Sequence, residues 1–304
     1  MSTTPARSKR TLGAAALAFA ALAVPSLAIA PAASASSAPQ PTDPLTVAYI
    51  EVNSTDLSVV GDYELEDGSN AFDVAIIFAA NINHDGTGAT LHLNERVQAT
   101  LDDAENQIRP LQDKGIKVTL SLLGNHQAAG FANFPTKKAA TRFAREVAEV
   151  VETYDLDGVD IDDEWVQYGT DGVPAANDRS AAWLVKALDA ELPKDSIISL
   201  YDIGETAETL KDAPHSVLKR LDYIWNPYYG QYNVPEFPVD PARLGAAAID
   251  VGQTSPSTSA SLAARTVADG FGVFVTYNLT AGDQSDAVSA FTRELNGQEA
   301  VYTG

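Results

Sequence analysis

The 304-residue chain contains no cysteine. Disulfides, thiolate nucleophiles and Cys-ligated zinc are therefore excluded, and the fold must rest on a packed core without covalent staples. Positive charge is scarce as well, with 20 Lys and Arg against 41 Asp and Glu and a formal net charge of -21. Nucleic acid is not an expected partner, because phosphate binding needs clustered Lys and Arg. The acidity reads instead as a solubility device. No H-E-x-x-H, G-x-S-x-G or P-loop pattern occurs, so zinc peptidase, serine hydrolase and nucleotidase readings find no support.

Long apolar runs are lacking outside the N-terminus. There, Arg7, Lys9 and Arg10 precede an Ala/Leu-rich run at 12–23 that Pro25 and Ser26 interrupt. The run is shorter than the roughly 20 apolar residues of a membrane span, and its order of charge, apolar stretch and small residues fits a secretory leader. Ala33-Ser34-Ala35 has the pattern of a cleavage site. The expected organisation is a signal peptide over 1–35, a disordered lead-in over 36–43 and one domain over 44–304. The protein is expected to be secreted, monomeric and without a membrane anchor.

About 260 residues with no low-complexity linker is the length of one α/β barrel. Short apolar runs recur at 46–52, 72–80, 116–123, 158–162, 197–203, 221–225, 246–251 and 273–278. Several are β-branched and nearly continuous in apolarity, as strands buried on both faces should be. Between most of them lie amphipathic helical patterns. Val97, Leu101, Ala104, Ile108 and Leu111 predict one helix that stops at Gly115. Phe143, Val147, Val150 and Tyr154 predict another behind Thr136 as N-cap. A third opens at Asn177 or Asp178, and two more span about 256–268 and 286–295. Proline and glycine accumulate at 203–221 and 225–246, which disfavours full-length helices there. The expected fold is α/β, a (β/α)8 TIM barrel with an incomplete outer helix ring after strands 5 and 6.

The most informative stretch runs Asp157-Gly158-Val159-Asp160-Ile161-Asp162-Asp163-Glu164-Trp165. As a strand, its period of two puts Asp160, Asp162 and Glu164 on one face and Val159 and Ile161 against the helix layer. Crowded, desolvated carboxyls have raised pKa values, so one of them can keep a proton near neutral pH and deliver it to a leaving oxygen. Glu164 is the candidate donor, because it lies toward the C-terminal end of the strand, where barrel active sites open. A calcium loop is the alternative for so many acids, but the D-x-D-x-D-G spacing is absent. No metal or cofactor is expected.

D-G-x-D-x-D-x-E is the signature of glycoside hydrolase family 18, which this stretch closely resembles. The extended form LDGVDIDDEW followed by Val166-Gln167-Tyr168-Gly169 is similar to the endoglycosidase H branch of that family. FDVAIIFAANIN from Phe72, IRPLQDKGIKVTLSLLGNHQAAGFANFP from Ile108, IISLYDIG from Ile197, WNPYYG from Trp225 and VTYNLTAGD from Val275 resemble the same branch in order and spacing.

The resemblance implies hydrolysis of the β-1,4 bond of the N,N'-diacetylchitobiose core in high-mannose and hybrid Asn-linked glycans. N-glycosylated proteins or free N-glycans would then be the substrates. It also implies a retaining mechanism in which the substrate's own 2-acetamido oxygen is the nucleophile, the exception that family 18 makes among glycosidases. Glu164 would be acid and then base. Asp162 would orient the acetamido group and stabilise an oxazolinium-like intermediate, with Asp160 as its hydrogen-bonding partner. Asn226 and Tyr228 would face the acetamido oxygen, with Tyr229 packed beneath a loop. Tyr277, Asn278 and Asn125 are further candidates for lining the sugar site, while His126 beside Asn125 reads as structural. A chitinase is the alternative enzyme, although only three tryptophans are present. A catalytically dead lectin on the same barrel is the alternative outside enzymes, and the retained Glu164 speaks against it.

Overall fold

The computed structural model describes residues 43–304. The expected signal, its cleavage motif and all of the lead-in except Asp43 lie outside them. Eight parallel segments follow one another round an eleven-stranded sheet: β1 (Leu45–Glu51), β2 (Val74–His84), β3 (Lys117–Leu123), β4 (Gly158–Asp162), β5 (Ile197–Tyr201), β6 (Tyr223–Trp225), β7 (Ala247–Asp250) and β8 (Val273–Tyr277). Each pairs in parallel with the next from β1 to β6, and β8 returns to β1 through Leu45↔Val273 to Tyr49↔Tyr277. The 244–250 segment joins the two ends, with Leu244–Gly245 pairing to β6 and β7 pairing to β8. This is a TIM-barrel type of architecture, whose functional end is the C-terminal end of the strands.

Alternation along the strands sorts side chains into two packed regions. Ala48, Ile50, Ala75, Ile77, Leu120, Leu122, Val159 and Ile161 face outward into the main core with the helices. Val47, Tyr49, Val74, Ile76, Tyr201, Trp225, Ala248, Val273 and Val275 fill the interior.

The outer layer follows the sequence patterns in part. Lys137–Thr153 buries Ala140, Phe143, Ala144, Val147 and Val151 at helical spacing, and Thr136 Oγ1 accepts the Ala139 amide at 3.1 Å as its N-cap. Pro256–Asp269 starts on the Ser255 cap with Pro256 in its first turn. Ser180–Glu191 and Ser285–Leu295 complete this set.

The single helix expected over 97–111 is in fact three pieces, Glu95–Asp102, Ala104–Gln107 and Arg109–Asp113. Pro110 has no N–H and would collide with the carbonyl four residues earlier, so it is tolerated only in the first turn of a helix that restarts at Arg109. After β5 the helices are short, Gly204–Lys211 and His215–Leu218, and the one helical piece described between β6 and β7 is the 3-10 turn Pro241–Arg243.

Two features lie outside the sequence reading. The outer ring is also thin after β1, where the 3-10 turn Leu57–Asp62 and a two-stranded sheet of Tyr63–Leu65 with Ala300–Tyr302 pack instead. Strand β2 continues past Ala80 and turns back as a hairpin with Ala89–His92, capped where Glu146 Oε2 accepts from Thr90 Oγ1 at 2.8 Å and from the Leu91 amide at 2.9 Å. Among the described residues, no helix is long and apolar enough to cross a membrane.

Candidate active site

Strand β4 delivers the carboxylates. Asp160 and Asp162 point into the barrel and are buried at 0% and 1% exposure, while Val159 and Ile161 pack outward. The strand ends at Asp162, so Glu164 stands two residues beyond it, half-buried at the mouth. Close backbone packing fixes this position. A Cβ on Gly124, at the end of β3, would lie 1.9 Å from the Glu164 carbonyl oxygen. Gly204, at φ +75°, gives similar room to the Asp163 carbonyl, and its backbone conformation suits a residue without Cβ.

Each acid has a different environment. Asp160 Oδ2 accepts from the Tyr49 hydroxyl at 2.8 Å and from Ser121 Oγ at 3.3 Å, and Oδ1 accepts from Ser199 Oγ at 2.7 Å. Burial raises its pKa to about 6 despite these three donors. The expected Asp160–Asp162 hydrogen bond is not formed among the described residues, because the neighbouring hydroxyls occupy Asp160. Asp163 Oδ1 accepts from the Tyr168 hydroxyl and Oδ2 from the Thr206 amide, each at 2.7 Å, so it ties the loop beyond Glu164 to helix Gly204–Lys211. Asp162 is different. Its Oδ1 is buried without a partner, and burial, followed by the charges of Glu164, Asp160 and Asp163, pushes its pKa well above the usual carboxylate range. An unpartnered buried carboxyl oxygen is costly in a resting protein and ready to accept from a ligand N–H.

The Glu164 pKa is also raised, chiefly by burial, and the neighbouring Trp165 indole partly opposes the rise. Crowding thus acts mainly on Asp162, and desolvation acts on the candidate donor.

The two adjacent phenols stand in different environments. Tyr228 is 48% exposed, and Tyr229 is the one turned to the acids. Its hydroxyl bonds to that of Tyr201, its ring stacks on Tyr277 at 5.0 Å and 9°, and burial followed by the Asp162 charge holds it protonated. The loop explains the difference. Asn226 Nδ2 donates to the Gln231 and Ala246 carbonyls at 3.1 and 3.0 Å, and Oδ1 accepts the Tyr228 amide at 2.9 Å. Asn226 is therefore spent on folding the 226–233 loop back along β7 and does not offer its amide to the mouth.

Tyr277, at the end of β8, packs between Tyr229 and Phe78, which lies 6.0 Å away edge-on. Asn278 follows it in the left-handed region at φ 64°. Asn125 donates to Asn83 Oδ1 at 2.8 Å, bracing the β2 hairpin against the loop after β3. The His126 ring packs against Trp165 with centroids 5.2 Å apart and planes tilted by 41°. Tyr49, Ser121, Ser199, Tyr201, Tyr229 and Gly124 were not among the expected site residues. Isolated hydroxyls at inward positions of otherwise apolar strands are the signal that would have found the first four.

The sequence profile of Glycosyl hydrolases family 18 matches residues 33–263. The chain belongs to that family, and it is a glycoside hydrolase. It is 56% identical over 267 residues to an endo-beta-N-acetylglucosaminidase of Flavobacterium sp. (strain SK1022), covering 88% of this chain and 85% of that protein. It is 30% identical over 273 residues to endo-beta-N-acetylglucosaminidase F1 of Elizabethkingia meningoseptica, covering 84% and 79%. Among solved structures, EndoBT-3987 of Bacteroides thetaiotaomicron, in complex with Man9GlcNAc2Asn substrate, superimposes with a TM-score of 0.75 at 26% identity, over 86% of this chain and 67% of that one. The same enzyme with Man5GlcNAc product gives a TM-score of 0.75, and there this chain spans 62% of its length.

Proposed function

We propose that this glycoside hydrolase cleaves the β-1,4 bond of the N,N'-diacetylchitobiose core in high-mannose and hybrid Asn-linked glycans, leaving one N-acetylglucosamine on the asparagine. The observation that carries this reading is the division of labour among the four acids of 160–164. Asp160 and Asp163 are occupied by fixed donors, which leaves Glu164 at the mouth and Asp162 buried beneath it with an orphan oxygen. A carboxylate nucleophile on the opposite face of the sugar is not supplied by this strand, so the substrate's acetamido group takes that role.

In the first step the Glu164 carboxyl gives its proton to the glycosidic oxygen as that bond breaks, and the acetamido oxygen bonds to the anomeric carbon. Asp162 Oδ1 accepts the acetamido N–H and faces the positive charge that develops on the oxazolinium ring. Tyr229, kept protonated, is the hydroxyl placed to steady the acetamido oxygen. In the second step Glu164, now a carboxylate, takes a proton from water as the water oxygen bonds to the anomeric carbon and the ring opens. Configuration is retained overall.

The relatives' names and the Man9GlcNAc2Asn complex of EndoBT-3987 support an N-glycan as substrate. The same reading takes the curled sheet as a closed (β/α)8 barrel with outer helices depleted after β5 and β6, and the leader over 1–35 as an export signal that places the enzyme outside the cell. The test is to incubate the purified enzyme with a high-mannose glycoprotein and with soluble chitin oligomers and weigh the products. Loss of the glycan with one N-acetylglucosamine retained supports the proposal. Cleavage of chitin alone, or binding without cleavage, overturns it.

A further inference from the structure

Glu164 stands where the sheet no longer holds the chain. The last ladder pairs of β4 are Leu123↔Asp162 on one side and Ile161↔Leu200 on the other, so residues from 163 onward lie beyond the strand's own hydrogen bonds. A reacting group displaced by about 1 Å can lose roughly 10²-fold in rate. The backbone that carries the donor must therefore be fixed by something other than the ladder.

Asp163 is placed to do this. It is buried, and strand alternation turns its side chain away from the barrel interior. Its Oδ1 takes the hydroxyl of Tyr168, five residues on, and its Oδ2 takes the Thr206 amide of helix Gly204–Lys211, both at 2.7 Å. The Tyr168 hydroxyl in turn accepts the Ala132 amide at 3.1 Å, and the Gln167 amide donates to the Gln127 carbonyl at 2.8 Å. A Cβ on Gly130 would lie 2.5 Å from the Tyr168 hydroxyl oxygen, so the loop after β3 admits the phenol only beside a glycine. Residues 163–168 are thereby closed into a loop that carries Glu164, seated between the loop after β3 and the helix after β5. A buried acid with both oxygens partnered is often no more than a staple of the fold. This one joins the two ends of the short segment that holds the donor.

Building on Glu164 as the donor in the proposed cleavage, we infer that Asp163 is the positioning residue for that acid, acting through its hydrogen bond to Tyr168. It touches neither sugar and moves no proton. Its part is to hold the Glu164 backbone so that the carboxyl is presented at one place in the mouth.

The experiment compares two substrates. Man9GlcNAc2Asn needs a proton on its departing sugar oxygen, whereas the 4-nitrophenyl β-glycoside of Man9GlcNAc loses a stable phenolate and asks little of an acid. The ratio kcat/KM reports the steps up to departure of the leaving group, so the later attack of water does not enter. Asp163→Ala and Tyr168→Phe are each expected to lower it on Man9GlcNAc2Asn by about tenfold or more, and on the nitrophenyl glycoside by no more than about twofold. Glu164→Gln should show the same selectivity. Asp163→Asn, which keeps an acceptor for the Thr206 amide, should recover part of the loss. Tyr168→Phe removes one hydroxyl and keeps the ring, so it carries the test should Asp163→Ala fail to fold. Equal losses on both substrates would overturn the inference by making the Asp163–Tyr168 bond a prop for the whole site. No loss on Man9GlcNAc2Asn in a folded variant would overturn it by showing that Glu164 keeps its place unaided. Wild-type enzyme inert on both substrates would bring down the substrate assignment, and this inference with it.

Discussion

The Tyr49 hydroxyl donates to Asp160 Oδ2 at 2.8 Å across the barrel interior and accepts the Trp225 indole N–H, also at 2.8 Å. One buried atom therefore satisfies two others, and removing it leaves a buried indole N–H without its acceptor and Asp160 short of a donor. Tyr49→Phe is expected to destabilise the fold by about 1–3 kcal/mol, the cost of orphaning buried polar groups. Thermal unfolding measures this as a melting temperature several degrees lower.

Replacing either available acid should abolish turnover with little effect on folding. Glu164→Gln cannot protonate the leaving oxygen, and a loss in kcat of roughly 10²–10⁴-fold is expected. Asp162→Asn removes the acceptor for the acetamido N–H and the negative charge beneath the oxazolinium, with an expected loss of roughly 10²–10³-fold. Steady-state kinetics on a high-mannose glycopeptide reads both, and activity within twofold of wild type in either variant would remove that residue from the mechanism.

The two adjacent tyrosines should separate cleanly. Tyr229 faces Asp162 and Tyr228 faces solvent. Tyr229→Phe should cost roughly the 10²-fold of a single well-placed donor, while Tyr228→Phe should stay near wild type. The reverse pattern in kcat would restore the assignment that the sequence resemblance implied.

Stability should fall as pH rises between about 4 and 6. The unfolded chain releases the Asp160 proton near the ordinary value of about 3.9, whereas the folded chain holds it to about 6. In that window the folded state binds more protons, so each rise in pH favours unfolding. The Asp160 contribution is complete below the window and gone above it. Asp163, also raised to about 6, acts in the same direction. Melting temperatures across this range should show the negative slope, and Asp160→Asn should flatten it without removing it.

The strand order and the carboxylate face were legible in the sequence because both depend on local alternation. Val159 and Ile161 could face outward only if Asp160 and Asp162 faced in. The broken helix over 95–113 was less legible, since the apolar spacing continues through Pro110 and only the backbone chemistry of proline interrupts it. The choice between Tyr228 and Tyr229 was not legible at all. It depends on Asn226 folding the loop back along β7, and that pairing joins residues whose register no local pattern specifies. The bracing of Asp160 by Tyr49, Ser121 and Ser199 is likewise a product of four strands meeting in one interior.

The most direct test of substrate-assisted cleavage at Glu164 and Asp162 is proton NMR of the first-formed products from Man9GlcNAc2Asn. The account predicts Man9GlcNAc appearing initially as its β-anomer beside GlcNAc-Asn. An initial α-anomer, or release of the intact GlcNAc2 unit, would contradict it.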